Sequence, residues 1–228
     1  MKGLPALILS LVVGILLIAF GAPRMIAAFA MIPSGPVLEK IQDRDLIEME
    51  DLGILVASQR RGLMWSVSGR KWTDLGLAQM LMAEQREASD PERRRLINDA
   101  IQSLRNGLAV APASPFAWTR LAFAEVFKSG ASPAALSAFR FGMVVAPYEP
   151  RLALARISLG FSVWPKLQPP ERRKILQQVR FAWNHRDERK QLLEFARQES
   201  WANLVRAALL RAPDDLAEFE ARLRKLSE

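Results

Sequence analysis

The feature that most constrains the fold of this chain is a pattern that occurs twice, 35 residues apart. The segments AIQSLRNGLAVAPASP and ALSAFRFGMVVAPYEP both begin on alanine, carry a glycine in mid-segment and end on proline. Duplicated helical units bury their apolar faces by stacking on neighbours, so the chain is predicted to be an all-α stack of helix pairs. The matched positions are Ala100, Leu104, Arg105, Gly107, Ala111, Pro112 and Pro115, and then Ala135, Phe139, Arg140, Gly142, Ala146, Pro147 and Pro150.

Signals for helix starts support this prediction. Ser89 and Glu92 have the spacing of a capping box, and Pro91 stands between them in the first turn, where a missing N–H costs nothing. Ser132 followed by Pro133 predicts another start of the same kind. Because no run of alternating β-branched residues follows the first 36 residues, strands are not expected.

The second copy of the pattern also predicts a buried stripe. Four apolar residues recur there at spacings of three and four, which places them on one side of a helix. Glycine inside a helix costs ~1 kcal/mol relative to alanine, so the two glycines of the pattern are expected where helices approach closely. The stripe residues are Leu136, Phe139, Met143 and Val144, and the glycines are Gly107 and Gly142.

The first 35 residues have a different character. Residues 3–23 carry no charge, and the apolar run at 4–20 approaches the ~20 residues that cross a bilayer. We interpret residues 1–35 as a membrane anchor and hinge, with a kink at Pro23 and a turn at 34–36. Residues 36–228 are then the helical-repeat domain.

Two further points concern this anchor. Small residues at Ala19 and Gly21 leave a cleaved signal peptide as the alternative interpretation. Lys2 and the amino terminus on one side face only Arg24 and Lys40 on the other, which is a small difference for the positive-inside rule, and we expect the amino terminus in the cytoplasm. The expected location is therefore a bacterial inner membrane, crossed once, with the soluble domain outside the cytoplasm.

Residues 72–155 resemble the tetratricopeptide repeat, a two-helix unit that opens on Trp-x-x-Leu-Gly and later carries alanine, a large apolar residue, a small residue and a closing proline. First helices are matched by the segments WTDLG from Trp72 and WTRLA from Trp118. The resemblance implies a short α-solenoid of antiparallel helix pairs behind one transmembrane helix. Between Gly76 and Ala100 the first unit is about a dozen residues longer than the family pattern, so extended helices or an extra loop are expected.

The same resemblance implies a site. In this family the first helix of each unit lines a concave groove, so residues of the two first helices are the candidate partner-binding residues. Packing between repeats remains the alternative role for the phenylalanine among them. These candidates are Arg70, Thr73, Leu77, Thr119 and Phe123.

The two ends of the stack are expected to be atypical, because terminal repeats cap a solenoid. Residues 46–63, beginning at Leu46, are predicted to form the capping helix nearest the membrane. Residues 204–219 are predicted to be a last half-unit that stops at Pro213, followed by a charged capping helix.

The residue inventory offers little chemistry. Cysteine is absent, which excludes disulfides, thiolate nucleophiles and cysteine-bound zinc. His185 is the single histidine and is expected at a surface turn, and the carboxylates have the spacing of helix faces and caps. The prediction is a protein without catalytic residues, cofactor or metal. The net charge of +8 is spread through mixed charges, so a nucleic-acid partner is not expected.

An anchor joined to a helical repeat favours a scaffold that binds other proteins at a membrane. Bacterial proteins of this plan in the family it resembles accompany exopolysaccharide synthesis and export, so partners among envelope or membrane proteins, and an acidic polysaccharide, are implied by the resemblance. Two alternatives stay open: a glycan-active enzyme that uses acidic residues, and a direct binder of an anionic polymer.

Overall fold

The computed structural model of the chain describes residues 4–43 and 45–227. Within these ranges the chain forms twelve α-helices and one 3₁₀ turn and contains no strand, which confirms the all-α prediction. The helices gather into two compact units, Met1–Ala113 and Ser114–Glu228. The stacking of a tetratricopeptide-like solenoid stays a prediction.

The described part of the first unit contains five helices, and the first of them is very apolar. Its Leu9–Met31 portion has a mean hydropathy of 2.1 and is long and apolar enough to cross a membrane. Pro23 lies inside that helix. The helices are α1 (Leu4–Met31), α2 (Ser34–Asp43), α3 (Met49–Trp65), α4 (Gly69–Glu84) and α5 (Pro91–Val110).

α1 and α2 run antiparallel to α3. The Met31 thioether packs on Gly62, because a Cβ on that glycine would lie 2.9 Å from Met31 Sδ. At the other end of α3, Lys40 Nζ lies 2.9 Å from a carboxylate oxygen of Asp51. Residues 34–36, which were expected to form a hinge, begin α2. The first compact unit includes residues on both sides of position 35, and the boundary between an anchor and a repeat domain stays a prediction.

α4 and α5 form a close antiparallel pair. A Cβ on Gly107 would lie 3.1 Å from the carbonyl oxygen of Gly69 and 3.2 Å from Cβ of Trp72. At Gly76 the approach is closer still, since a Cβ there would lie 2.6 Å from Cγ of Leu104. The predicted close helix approach at the first glycine of the repeat is confirmed.

The second unit is built from seven α-helices in the described residues 114–227. An apolar core of this unit lies among the later helices, around Trp183 and Phe219, whose ring centroids are 5.8 Å apart in an edge-on arrangement. The helices are α6 (Pro115–Ser129), α7 (Pro133–Val145), α8 (Pro150–Ser162), α9 (Pro169–Trp183), α10 (Arg186–Phe195), α11 (Glu199–Leu209) and α12 (Pro213–Ser227).

The α6–α7 pair repeats the contact of the α4–α5 pair. A Cβ on Gly142 would lie 3.4 Å from both Cβ of Trp118 and Oγ1 of Thr119, which are the counterparts of the tryptophan and threonine that face Gly107. The pairs differ in length, because α5 begins nine residues before Ala100 whereas α7 begins two residues before its counterpart alanine. The expected extra length therefore consists mainly of additional turns at the start of α5.

A buried cation closes the end of α7. Arg156 in α8 is 1% exposed, and its guanidinium donates to the carbonyl oxygens of Gly142 at 2.7 Å and Ala146 at 2.6 Å. These carbonyls lie at the negative end of the α7 dipole, where a cation is favourable. Burial lowers the pKa of Arg156, and the nearby charge of Glu149 opposes this shift.

One of the two predicted helix starts needs a correction. The cap of α5 is Asp90 rather than Ser89, and its carboxylate accepts the backbone N–H of Glu92 at 2.8 Å. The helix therefore begins one residue later than the capping-box pattern indicated. At α7 the prediction is confirmed, because the Ser132 hydroxyl accepts the N–H of Ala135 at 3.2 Å.

Three apolar or proline positions also differ from expectation. Val144 is 69% exposed, because the buried face of α7 runs through Phe139 and Met143 and the next residue turns about 100° away. Leu46 lies outside α3 and is 94% exposed. Pro213 does not stop a helix but begins α12, since proline suits a first turn.

Candidate binding groove

An open groove of about 460 Å³ lies in the first unit between α3, α4 and α5. α4 packs against both of the other helices, so it forms the floor while α3 and α5 form the walls. The lining residues are Arg60, Leu63 and Met64 from α3, Trp72, Leu75 and Gln79 from α4, and Asp99, Gln102, Ser103 and Asn106 from α5.

The α3 and α4 sides of the groove are mainly apolar. Leu75 is buried in the floor, whereas Leu63 and Trp72 are half-buried and Met64 is exposed. A methionine thioether is flexible and polarizable, and an indole offers a large flat surface. This part of the groove suits the apolar side chains of a ligand.

The α5 wall is a row of polar groups at helical spacing. The Gln102 amide donates to the Asn106 side-chain oxygen at 3.0 Å, and both residues reach the groove. Deeper in, the Ser103 hydroxyl donates to the Gln79 side-chain oxygen at 2.8 Å in a buried hydrogen bond. Side-chain amides carry donors and an acceptor, so this wall can pair with the N–H and C=O groups of a peptide.

Charge is sparse and of both signs. Arg60 brings an exposed guanidinium from α3, and Asp99 brings the one carboxylate among the lining residues. Asp99 also lies 3.9 Å from the Arg95 guanidinium. The groove therefore has no strong bias toward a charged ligand of one sign.

The α3–α4 corner at one end of the groove is held by a lysine. Lys71 Nζ donates to the carbonyl oxygens of Gly62 at 3.1 Å and Ser66 at 2.9 Å, the last carbonyls of α3 and its cap. Burial lowers the pKa of Lys71, yet the position at the negative end of the α3 dipole favours the cation. This contact fixes the angle at which α4 leaves α3.

None of the five sequence-predicted partner-binding residues lines the groove. On α4, the candidates Arg70, Thr73 and Leu77 lie roughly opposite Trp72 and Leu75 at 100° per residue. Arg70 is exposed beside Asp74 at 3.7 Å. Thr73 is buried in the α4–α5 contact, where its hydroxyl donates to the Gly69 carbonyl at 2.8 Å.

The other two candidates belong to the second unit. Thr119 is buried in the α6–α7 contact, and its hydroxyl donates to the Pro115 carbonyl at 2.9 Å. Phe123 is half-buried on the same helix. The role of the five candidates in partner binding stays a prediction.

The groove residues that sequence reasoning missed had a partial signal. Asp99, Gln102, Ser103 and Asn106 have the spacing of one helix face, so a polar stripe on α5 could have been recognised. Trp72 was noticed only as part of the repeat. The sequence carried no signal that α3 forms one wall of the groove, because its position depends on the angle between α3 and α4 at Lys71.

The lone histidine has a structural role. His185 caps the start of α10, and its Nδ1 lies 2.7 Å from the carbonyl oxygen of Phe181, so that nitrogen carries the proton. Its ring also contacts the Phe181 ring, with centroids 4.2 Å apart. Within residues 4–43 and 45–227, no group of three or more histidine or acidic side chains has the arrangement of a metal site.

Comparisons with known proteins leave the groove as the main guide to function. No family model, curated protein or solved structure matches the chain.

Proposed function

We propose that this protein is a membrane-anchored scaffold that binds a polypeptide segment of another membrane or envelope protein in the groove between α3, α4 and α5. One observation carries the proposal: the groove combines an apolar floor with a wall of side-chain amides, and it belongs to the compact unit that also contains the apolar helix α1. Apolar pockets bind side chains and amides pair with peptide groups.

The shape of the groove favours an elongated partner over a small molecule. The groove is open to solvent rather than enclosed, and three helices contribute its lining. A helix or extended strand of a partner would place apolar residues on Trp72 and Met64 and polar groups on Gln102 and Asn106. Grooves of this kind use a few anchor side chains for most of the affinity.

The distribution of carboxylates supports binding rather than glycan hydrolysis. Glycoside hydrolysis uses two carboxyl groups on either side of the reacting bond. Asp99 is the one acid among the residues that line the groove. A binder of an anionic polymer would need several clustered cations, and Arg60 is the one basic residue in that lining.

The biological setting rests on the resemblance described above. Anchored proteins with a short tetratricopeptide-like domain imply a bacterial cell-envelope assembly, with exopolysaccharide synthesis or export as the process. In that setting α1 is a retained anchor in the inner membrane and the helical units lie outside the cytoplasm.

Site-directed photocrosslinking in intact cells tests the scaffold proposal. A photoreactive phenylalanine at Gln102 reaches the groove, whereas the same residue at Asn98 occupies an exposed amide position on the same helix outside the groove lining. We expect discrete crosslinked bands at Gln102 and none at Asn98. Equal crosslinking at both positions, or none at either, would contradict a peptide-binding groove.

A further inference from the structure

The corner between α3 and α4 leaves several apolar side chains half or more exposed. Met64 is 75% exposed, Trp65 50% and Val67 67%. Val110 at the end of α5 is half exposed at the same end of the unit, because the next residue, alanine, packs on Gly69 at the start of α4. We name Met64, Trp65, Val67 and Val110 the corner patch. Four exposed apolar residues together indicate a surface that meets an apolar environment.

Two contacts set the register: Met31 packs on Gly62 and Lys40 pairs with Asp51, so the chain from the end of α1 through α2 runs antiparallel to α3. Extending α1 back from Met31 along the same line leads toward the end of α3. At 1.5 Å per residue, Arg24 lies roughly 10 Å beyond Met31 and Trp65 lies roughly 4 Å beyond Gly62. The Trp65 level is therefore roughly 6 Å from the level of Arg24.

We place the level at which α1 leaves the hydrocarbon near Arg24, because the uncharged residues 3–23 already approach the ~20 apolar residues that cross a bilayer. Arg24 is the first charged residue after Lys2, it is exposed, and its guanidinium reaches back to the Phe20 carbonyl oxygen at 2.8 Å. A long basic side chain on an apolar helix places its charge among the headgroups. The headgroup layer is about 6 Å deep on each side of a bilayer. At about 6 Å from Arg24, Trp65 lies at the outer edge of that layer.

α1 itself continues to present apolar residues at this level. Met25 is 58% exposed, and Phe29 and Ile32 are exposed to a similar extent. These residues lie beyond Arg24 and beside the end of α3, so the apolar surface of the helix and the corner patch occupy the same height. A lipid surface is the occupant that covers both, since it surrounds α1 on every side that α3 leaves open.

Charge at the corner agrees with a lipid surface. Residues 52–73 contain no acidic residue and four basic ones, Arg60, Arg61, Arg70 and Lys71. The opposite end of α3 begins with the acidic residues Glu48, Glu50 and Asp51. Anionic headgroups attract basic segments close to a membrane, and tryptophan is enriched at the same depth.

We propose that the corner patch inserts into the headgroup region of the bilayer that holds α1, as a second membrane contact of this protein. The proposal rests on the proposed function only in that α1 stays in the membrane. Because Met64 belongs to both the patch and the groove, the groove then opens at the membrane surface, and the segment that it binds is a juxtamembrane segment of the partner.

Spin labelling of the full chain in nanodiscs tests this contact. The chain has no cysteine, so each introduced cysteine carries a unique nitroxide. Three variants are compared: Val67→Cys in the patch, Leu17→Cys in α1, and Leu46→Cys as an equally apolar exposed position at the far end of α3. Collisions with oxygen report lipid and collisions with a water-soluble nickel complex report water, in phosphatidylcholine with and without phosphatidylglycerol.

We expect the oxygen-to-nickel ratio to be highest at Leu17, intermediate at Val67 and severalfold lower at Leu46, and to rise at Val67 when phosphatidylglycerol is added. Trp65→Cys serves as a second patch position and should behave like Val67→Cys. A label at Val67 that is as accessible to nickel as the label at Leu46, while Leu17 remains in lipid, overturns the patch contact and leaves the anchor intact.

Two other outcomes also count against the proposal. A water-accessible label at Leu17 overturns the anchor and, with it, the patch contact. A label at Val67 that is shielded only when two copies of the chain share a nanodisc shows that protein rather than lipid covers the patch.

Discussion

The α4–α5 and α6–α7 pairs share one helix–helix contact but place their tryptophans in different surroundings. In the second pair the Trp118 ring stacks on Phe141, with centroids 4.9 Å apart. The residue that corresponds to Phe141 in the first pair is Asn106, and there Trp72 lines an open groove. The same backbone contact therefore accompanies a tryptophan stacked on a second ring in one pair and a tryptophan that lines an open groove in the other.

The difference extends along the second helix of each pair. The polar wall residues Asp99, Gln102 and Ser103 correspond to alanine, serine and alanine in α7. The two pairs share the residues of the glycine contact, while the outer face of the second helix differs between them. The five predictions below test where the two copies are equivalent and where they are not.

The largest effect is expected at Arg156, whose guanidinium caps the end of α7 in the second pair. Arg156→Met removes two charge-assisted hydrogen bonds to buried carbonyls and should lower the free energy of unfolding by about 3 kcal/mol. Lys71→Met, which removes the corresponding contacts of α3, should cost about 1 kcal/mol because that site is half exposed. Hydrogen exchange of each helix pair in the full chain measures both, and equal losses would show that burial does not distinguish them.

The next effect comes from the tightest glycine. Gly76→Ala places a methyl group against Leu104 and near the Ala100 carbonyl oxygen, and should destabilise the α4–α5 pair by about 2 kcal/mol. Its counterpart in the second pair is Ala122, which is fully buried. Ala122→Gly serves as the reverse change and should cost about 1–2 kcal/mol through lost packing and helix propensity. A stabilising Gly76→Ala would mean that the first pair can open to the spacing of the second.

Exchange of the residue beside each tryptophan tests the central difference. Phe141→Asn removes the stacked ring from Trp118 and should destabilise the second pair by about 1 kcal/mol. Asn106→Phe should cover Trp72, shift its fluorescence to shorter wavelength and abolish crosslinking from Gln102, with little change in stability. Unchanged crosslinking in Asn106→Phe would show that the partner does not use the Trp72 surface.

Smaller effects on stability, which differ in sign between the two sites, are expected at the two repeat glycines. Gly142→Ala adds a methyl group at ordinary contact distance and should stabilise the second pair by up to about 1 kcal/mol through helix propensity. At Gly107 the added methyl group meets backbone at 3.1 Å, so Gly107→Ala should give no gain or a loss. Thermal unfolding of both variants checks the difference in sign.

The smallest effect concerns pH. Hydrogen bonds from Lys40 lower the pKa of Asp51 in the first unit, and hydrogen bonds from Arg140 lower the pKa of Glu171 in the second. A carboxyl group with a lowered pKa stabilises the fold above its unfolded-state pKa, and this stabilisation is lost as the pH falls through the folded-state pKa. Asp51→Asn and Glu171→Gln should each flatten the stability profile below about pH 4. A profile that stays unchanged would show that these exposed pairs contribute nothing.

The sequence was a good guide where a feature depends on one helix or one pair. Gly107 predicted a close helix contact because a glycine within a helix needs a compensation, and the structure has that contact, whereas an added methyl group at Gly142 would meet ordinary contact distances. Ser132 predicted a helix start for a similarly local reason. At α5 the prediction failed by one residue because Asp90 competed with Ser89 for the cap, and an aspartate directly before the proline is as good an acceptor.

The groove could not be predicted because it depends on three helices at once. Arg70, Thr73 and Leu77 were chosen on a first helix whose lining face was inferred from a family resemblance, while the cavity formed on the other face, between α4 and the wall residues of α5. Val144 shows the same limit on a smaller scale. Periodicity gives the residues that share a side but not how wide the buried part of that side becomes.

The contact between Met31 and Gly62 has a mechanical consequence. α1 packs directly on α3, and Lys71 joins the end of α3 to α4, so these contacts connect α1 mechanically to two sides of the groove. Under the proposed function, in which α1 spans a bilayer, a change in the tilt of α1 would turn α3 and thereby change the width of the groove.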